Sequence, residues 1–304
     1  MIMKRCWFIW LLSFLMLAVS CQHRETEPAN GFSNVPDGTP INITIGFGAT
    51  APIDVQVGTK AESSRADDSR VHDLYVLMFN QSGACFYGKY FSYQERFETL
   101  DDLIQDQANQ NEHEGWFVQN RSMDNVKENE GAYITQTTGA MKLSTMAAEG
   151  CTLILLANVS NTLTSLSGGD PVTVLNSFKS QNKTLSELEN LTVQLEQNVV
   201  DRSDLFLMTG KLEGINTAEM IWHGGAVDEP DYTSYNTTYQ IPLKHVDAKV
   251  KFRVRKNDTN IKSLTPRTWK VYNVPNRCTL FEQDTYEAPA GTTYFEIDPP
   301  SYFE

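Results

Sequence analysis

The chain has 304 residues, a length that accommodates about two domains, and its 25 Lys plus Arg against 38 Asp plus Glu give a net charge of −13. With 40% hydrophobic and 11% aromatic residues it can build real cores, which excludes global disorder. The acidic balance argues against a nucleic-acid partner, because duplex binding has to neutralise phosphates. Plentiful Asn and Thr with only 21% charged residues suit a β-rich extracellular protein.

Residues 1–20 have the three-part layout of an export signal: the basic leader Lys4-Arg5, the apolar stretch from Cys6, then Leu17-Ala18-Val19-Ser20 before Cys21. At 15 residues, the stretch Cys6 to Ser20 is too short to span a bilayer comfortably. Small residues before a Cys resemble the lipobox of bacterial lipoproteins, with Ala18 where that pattern prefers Leu. The resemblance implies that Cys21 becomes the first mature residue and carries acyl chains. Ordinary cleavage beside a coincidental Cys is the alternative. Each buried methylene of such an anchor contributes about 0.8 kcal/mol, so two or three chains tether far better than one. Losing the signal removes Lys4 and Arg5 and no acid, leaving a net charge of −15. Cys85, Cys151 and Cys278 then remain, an odd number that cannot form a complete disulfide framework. Cys85 and Cys151 sit in apolar surroundings and read as core residues.

Residues 22–40 hold three Pro and two Gly and read as a flexible tether. Ile41, Ile43, Ile45 and Phe47 then alternate with polar residues and Gly, predicting a strand with one buried face. Ile53, Val55 and Val57 repeat the pattern briefly. Residues 58–70 are small, charged and aperiodic, an exposed loop open to proteases. Val71 to Phe79 is apolar on both faces, as in a doubly covered strand, and Asn80 to Gly83 supplies a turn. Phe86 to Tyr93 returns as its partner. Residues 100–130 are polar and read as a surface insertion with some helix. Cys151 to Asn158 is a second buried strand. Asp170-Pro171 has helix-start chemistry, and Thr184-Leu-Ser-Glu187 is a capping box with Leu185, Leu188, Leu191 and Leu195 following at helical spacing. Leu205 to Met208 reads as a short strand ending at Thr209-Gly210. Tyr239, Ile241 and Leu243 are out of phase with Val246, Ala248, Val250, Phe252 and Val254, which predicts a break near Lys244-His245. A further strand opens at Trp269 to Tyr272.

Chemistry-bearing constellations are missing. His23, His72, His113, His223 and His245 are scattered, with no metal-ligand spacing, no CxxC, no GxSxG and no phosphate loop. Neither an enzyme nor a cofactor or metal is expected. Asp101-Asp102 and Asp228-Glu229-Pro230-Asp231 read as weak cation sites or as solvated turns. The aromatics at Trp222 and from Tyr232 to Tyr239 suit either sugar stacking or core packing.

The order of these pieces resembles the fimbrillin family, the lipoprotein-precursor pilus subunits of Bacteroidales. The blocks that carry it are the lipobox at Cys21, the Arg-containing loop before Ser69 to Asn80, and Thr152 to Asn158. The helix at Thr184, Phe206 to Thr209 with Tyr239 to Arg255, and Leu264 to Pro275 complete the set. The resemblance implies a mainly β chain: a transthyretin-like β-sandwich with a few inserted helices, followed by an incomplete second β-sandwich domain. The resulting organisation is a signal at 1–20, a tether at 21–40, a first domain at 41–257 and the start of a second at 258–304. It also implies a lipid-anchored precursor at the outer membrane and cell surface that polymerises by strand exchange. In that scheme a protease cuts at Arg65, or secondarily at Arg70. The strand carrying Ile41, Ile43, Ile45 and Phe47 then leaves, and a strand of another fimbrial subunit fills the groove by β-augmentation. Adhesion to a host protein or glycan would follow. The alternative is a monomeric surface lipoprotein that binds glycans or host ligands without polymerising, its loop uncut.

Overall fold

A computed structural model describes residues 35–50, 69–110, 115–125, 132–160, 162, 164–195, 205–220, 239–246, 260, 262, 270–283 and 287–297. Strand β2 (Asp73–Phe79) is its centre, with all seven residues buried. Leu74, Val76 and Met78 enter one core while Tyr75, Leu77 and Phe79 enter a second on the opposite face. The two-sided apolar pattern of the sequence is therefore satisfied on both sides. Asn80 Oδ1 accepts from the Ala84 N–H at 2.9 Å, and Gly83 takes φ +81°, turning the chain into β3 (Cys85–Tyr93). On the other flank of β2 lies β6 (Cys151–Ala157), which divides its side chains in the same way.

The remaining strands of the main sheet are β1 (Pro40–Thr50), β4 (Trp116–Asn125), β5 (Ala132–Met146), β9 (Met208–Ile215) and β10 (Gln240–His245). Their order is β1-β10-β9-β6-β2-β3-β4-β5, and it closes on itself. The β1–β10 and β3–β4 contacts are parallel and the others antiparallel. The chain is mainly β with few helices, as expected. Where the sandwich expectation has two facing sheets, the main sheet instead closes as an eight-stranded mixed barrel. The physical reason is β1, which pairs with β5 along eleven residues and with β10 along four, joining the two ends of the sheet.

Four stretches differ from the sequence reading. The polar run 100–130 does contain helix α1 (Leu100–Gln110), but it also supplies β4, because Phe117 enters the barrel core while Val118 packs beneath α1. The fifteen-residue β5 has no counterpart in the sequence reading. The strand expected at Leu205 begins at Met208 and runs to Ile215. Helix α2 (Pro171–Ser180) starts as expected, with Asp170 accepting from the Thr173 N–H at 2.9 Å. Helix α3 (Leu185–Glu189) has its capping box but stops at once. Thr192 to Leu195 then form β8, so Leu191 and Leu195 are not helical. Bonds from the Thr184 backbone and hydroxyl hold the exposed Glu187 carboxyl below the usual range.

Strand β8 lies between β7 (Thr164–Leu166) and β12 (Arg277–Thr279), and this three-stranded sheet covers the second core with α2 and α3. Leu280, just beyond β12, is buried in that core. A separate two-stranded ribbon pairs β11 (Val271–Pro275) with β13 (Tyr294–Ile297). At the end of β10, Ile241 and Leu243 face the barrel core while Val246 packs on the second core, as regular alternation places it, and the pairing with β9 runs through Lys244 and His245 without the break the sequence predicts. Residues 247–255, which carry the rest of that alternation, lie outside the described residues.

Cys85 and Cys151 are buried and unpaired, and burial pushes both thiols up to about 11. At pH 8 about one molecule in a thousand would then carry either thiolate. Iodoacetamide labelling of the folded chain at pH 8, read peptide by peptide, is expected to leave both unmodified while denaturant exposes them. Rapid labelling of Cys85 or Cys151 in the native state would contradict the packing. These protons are held more tightly by the folded chain, whose Tyr75 phenol is also raised, to about 12. Their contribution is constant below the unfolded thiol value near 9 and is lost as pH rises towards 11. The urea midpoint should accordingly fall across that window.

Candidate functional site

The apolar side chains of β1 face the barrel core as the sequence predicts, with Ile43, Ile45, Phe47 and Ala49 at 1% exposure or less and Ile41 packed at the rim, while Thr44 on the opposite face is also buried. Against β5 the register runs from Pro40 opposite Met146 to Thr50 opposite Gln136. Against β10 it covers only Gly46 to Ala49. Among the described residues, the first half of β1 therefore has a strand on one side only. Outside the barrel face, Asn42 Oδ1 accepts from Ser144 Oγ at 2.8 Å.

Phe47 sits directly opposite Gly139. A Cβ on Gly139 would lie 2.2 and 2.5 Å from ring atoms Cζ and Cε1 of Phe47 and 2.6 Å from the Val118 carbonyl oxygen, so both the ring and the β4 backbone require glycine there. Phe117 meets the same ring edge-on, with centroids 5.5 Å apart and planes at 78°, and Tyr93 packs behind Phe117 at 5.8 Å. Four consecutive facing pairs thus read Leu143–Ile43, Met141–Ile45, Gly139–Phe47 and Thr137–Ala49. The sequence offers the apolar alternation of β1, but the glycine that receives its aromatic residue lies in the strand the sequence reading omits.

Cys21 and Arg65 lie outside the described residues. Arg70 is described, just before β2, between Ser69 and Val71, which are both fully buried. Its carbonyl accepts from Asn158 Nδ2 at 2.9 Å. Asn158 also donates to the Phe206 carbonyl at 2.8 Å and accepts from the His72 N–H at 2.8 Å. It does so in a left-handed conformation, φ 63°, directly after β6. Beside it, the fully buried Asp73 carboxylate accepts from the Val159 N–H at 2.7 Å and from the Ser160 N–H at 3.3 Å. It also accepts from the Ser160 hydroxyl, and His72 Nδ1 lies 3.2 Å away. The start of β2 is clamped to the end of β6 by this network. Sequence reasoning missed it, although an Asp inside the apolar run from Val71 to Phe79 is a signal of a paired buried acid.

The aromatic and acidic candidates resolve differently. Tyr239 packs against the barrel core and its hydroxyl donates to Glu219 at 2.7 Å, so it is held in place. Asp102 bonds back to Thr99 at the start of α1, through Thr99 Oγ1 at 2.6 Å, in a capping role. Trp222, Tyr232 and the Asp228 cluster lie outside the described residues. Exposed aromatics that sequence reasoning did not select are Tyr272 and Tyr294 on the β11–β13 ribbon, 60% and 56% exposed. Lys270 Nζ stands 5.2 Å from the Tyr272 ring centroid. Among the described residues, no group of three His, Cys, Asp or Glu side chains is placed to hold a metal ion.

Comparison with known proteins finds no matching family model and no matching curated protein. Solved structures do match. A fimbrial assembly protein from Parabacteroides distasonis aligns at 12% identity with a TM-score of 0.46, covering 87% of this chain and 74% of that one. Two proteins of the same organism, provisionally assigned to cell adhesion, align over 69% of this chain at 15% and 10% identity, with TM-scores of 0.28 and 0.29. This chain spans under half of either, 46% and 41% of their lengths. These are structural similarities at low sequence identity, to one fimbrial assembly protein and two proteins provisionally assigned to cell adhesion.

Proposed function

We propose that the chain is a structural or assembly subunit of a cell-surface fimbria, exported as a lipid-anchored precursor and joined to other subunits by strand exchange, with adhesion as the outcome. The observation that carries the reading is β1. It is one strand, with Ile43, Ile45, Phe47 and Ala49 buried, between sequence segments that read as a tether and an Arg-containing loop. Its removal would unpair the Gln136–Met146 edge of β5 and reopen a ring that is otherwise continuously paired among the described residues. Such an edge is a template for another strand. Cys21 carries the anchor in this reading, and residues 258–304, apart from β12 and Leu280, which pack on the second core, open a second domain of the transthyretin-like sandwich type. Cleavage falls at Arg65, because the Arg70 carbonyl is engaged by Asn158 and both of its neighbours are buried, whereas a protease must draw several residues into its cleft.

Digestion of the purified chain with an Arg-specific protease tests this. The expected product begins at Ala66, and mixing it with uncut chain yields ladders of multimers. A product that begins at Val71, or a cut chain that stays monomeric, would sink the respective claim. Replacing Cys21 with Ala should abolish labelling by a radioactive fatty acid in the producing cell; persistent labelling would remove the anchor. The second reading, a monomeric glycan-binding lipoprotein, draws on exposed Tyr272 and Tyr294, since an exposed ring face suits stacking on a sugar. Glycan-array binding lost in a Tyr272→Ala, Tyr294→Ala double variant, without multimers after cleavage, would favour it.

A further inference from the structure

We infer that the slot beneath β1 selects an aromatic side chain at one register position, the one opposite Gly139. The strand it accepts from another subunit then carries aliphatic residues two apart, followed by that aromatic. This rests on strand exchange as the assembly step and adds the chemistry by which a partner strand is chosen and seated.

The argument begins with Gly139. A glycine inside a fifteen-residue strand weakens it, since it adds backbone entropy and packs nothing. Here the missing side chain is replaced by the ring of Phe47, which lies over the glycine from the facing strand. An aromatic covering a glycine across a strand pair recovers the lost burial. Neighbouring positions offer no such space, because Ile45 faces Met141 and Ile43 faces Leu143. Thr137, opposite Ala49, is itself buried and bears a side chain. Phe117 closes the far wall edge-on.

The profile along the slot is therefore aliphatic, aliphatic, aromatic, small. Sliding an incoming strand by two residues towards either end would leave Ile45 or Ala49 over Gly139. One direction presses the ring against Met141, the other against Thr137. Strands whose side chains merely alternate would otherwise be free to slip by two, because every even shift keeps the apolar face inward. A single ring-sized vacancy removes that freedom. The same vacancy discriminates among partners, because a strand with a small residue at this place leaves the glycine uncovered.

Two measurements decide it. In the first, full chain cut within residues 51–68 is incubated with a fluorescent peptide spanning Pro40 to Ala49, or with the same peptide carrying Phe47→Ala. Retention is read by gel filtration. At least tenfold more of the parent peptide should be retained, and a Phe47→Tyr peptide should behave like the parent. Equal retention of the parent and Phe47→Ala peptides would overturn the selectivity. If neither peptide enters, strand exchange itself fails. The second measurement then judges the pocket alone, in the intact chain. Phe47→Ala, Gly139→Ala and the double variant are compared by thermal melting. Phe47→Ala should lower Tm far less in the Gly139→Ala background than in the parent, since the new methyl has already displaced the ring. Equal decrements in the two backgrounds would overturn the proposal.

Discussion

Replacing Asp73 with Ala is expected to destabilise the chain by about 3–4 kcal/mol, the scale for stranding several donors that had one buried acceptor. The carboxylate is fully buried and is the acceptor for the Val159 and Ser160 N–H groups and the Ser160 hydroxyl. A methyl group in its place satisfies none of them. Asp73→Asn retains one oxygen but aims an amide donor at the same donors, so it should cost about 1–2 kcal/mol. The check is urea unfolding, with a lowered midpoint and an unchanged slope. The effect should also be directional. Asn158 and Asp73 together hold residues 70–73, so loosening them frees the Arg70–Val71 bond. Arg-specific digestion of Asp73→Ala under native conditions should therefore produce a chain beginning at Val71 that the parent does not give. An Asp73→Ala chain with parental stability would show that the donors find other partners and that the clamp is incidental.

Phe178→Ala should be about as costly, at about 3–5 kcal/mol, the range for deleting a large buried aromatic. Phe178 projects from α2 into the second core, where it meets Phe79 of β2 edge-on with centroids 6.3 Å apart. Leu175 and Leu188 flank it in the same core, and the Tyr75 hydroxyl donates to Asn176 at 2.8 Å beside it. The loss is a large cavity in a layer that, among the described residues, helices and a three-stranded sheet cover. Hydrogen exchange should then accelerate in α2, α3 and β8 while β1 and β5, which face the other core, remain protected. Uniform acceleration over both cores would mean that the two layers unfold as one unit.

Much of this architecture is legible in the residues. The strands β2 and β6 are continuous apolar runs, and β1 is a strict alternation, so neither needs knowledge of its partners. Strands β4 and β5 are illegible for the opposite reason. Their outer face carries Val118 and Ala140 beneath α1, and their inward series is interrupted by Gly139, so the period of two is diluted. The helical spacing from Leu185 to Leu195 misleads because Leu188 on a helix and Val193 on a strand both serve the same core. Barrel closure is invisible locally, since Phe47 neighbours Ile241, which is 194 residues (241 − 47) further along the chain. The same holds for the site. The apolar face of β1 is readable, whereas Gly139 and the Asp73–Asn158 clamp acquire meaning only from residues that are far away in sequence.

The parallel contact between β1 and β10 also sets an order of events. The first strand of the barrel meets its last, and loop closure over such a span is entropically slow compared with pairing neighbours such as β2 with β3. A chain emerging from its amino end can assemble most of the wall while the seam still waits for residues 240–245. During that interval β1 is tied to β5 alone, and both lips of the seam are exposed to any other chain nearby. The last-closing joint is thus the place where correct assembly and aggregation compete.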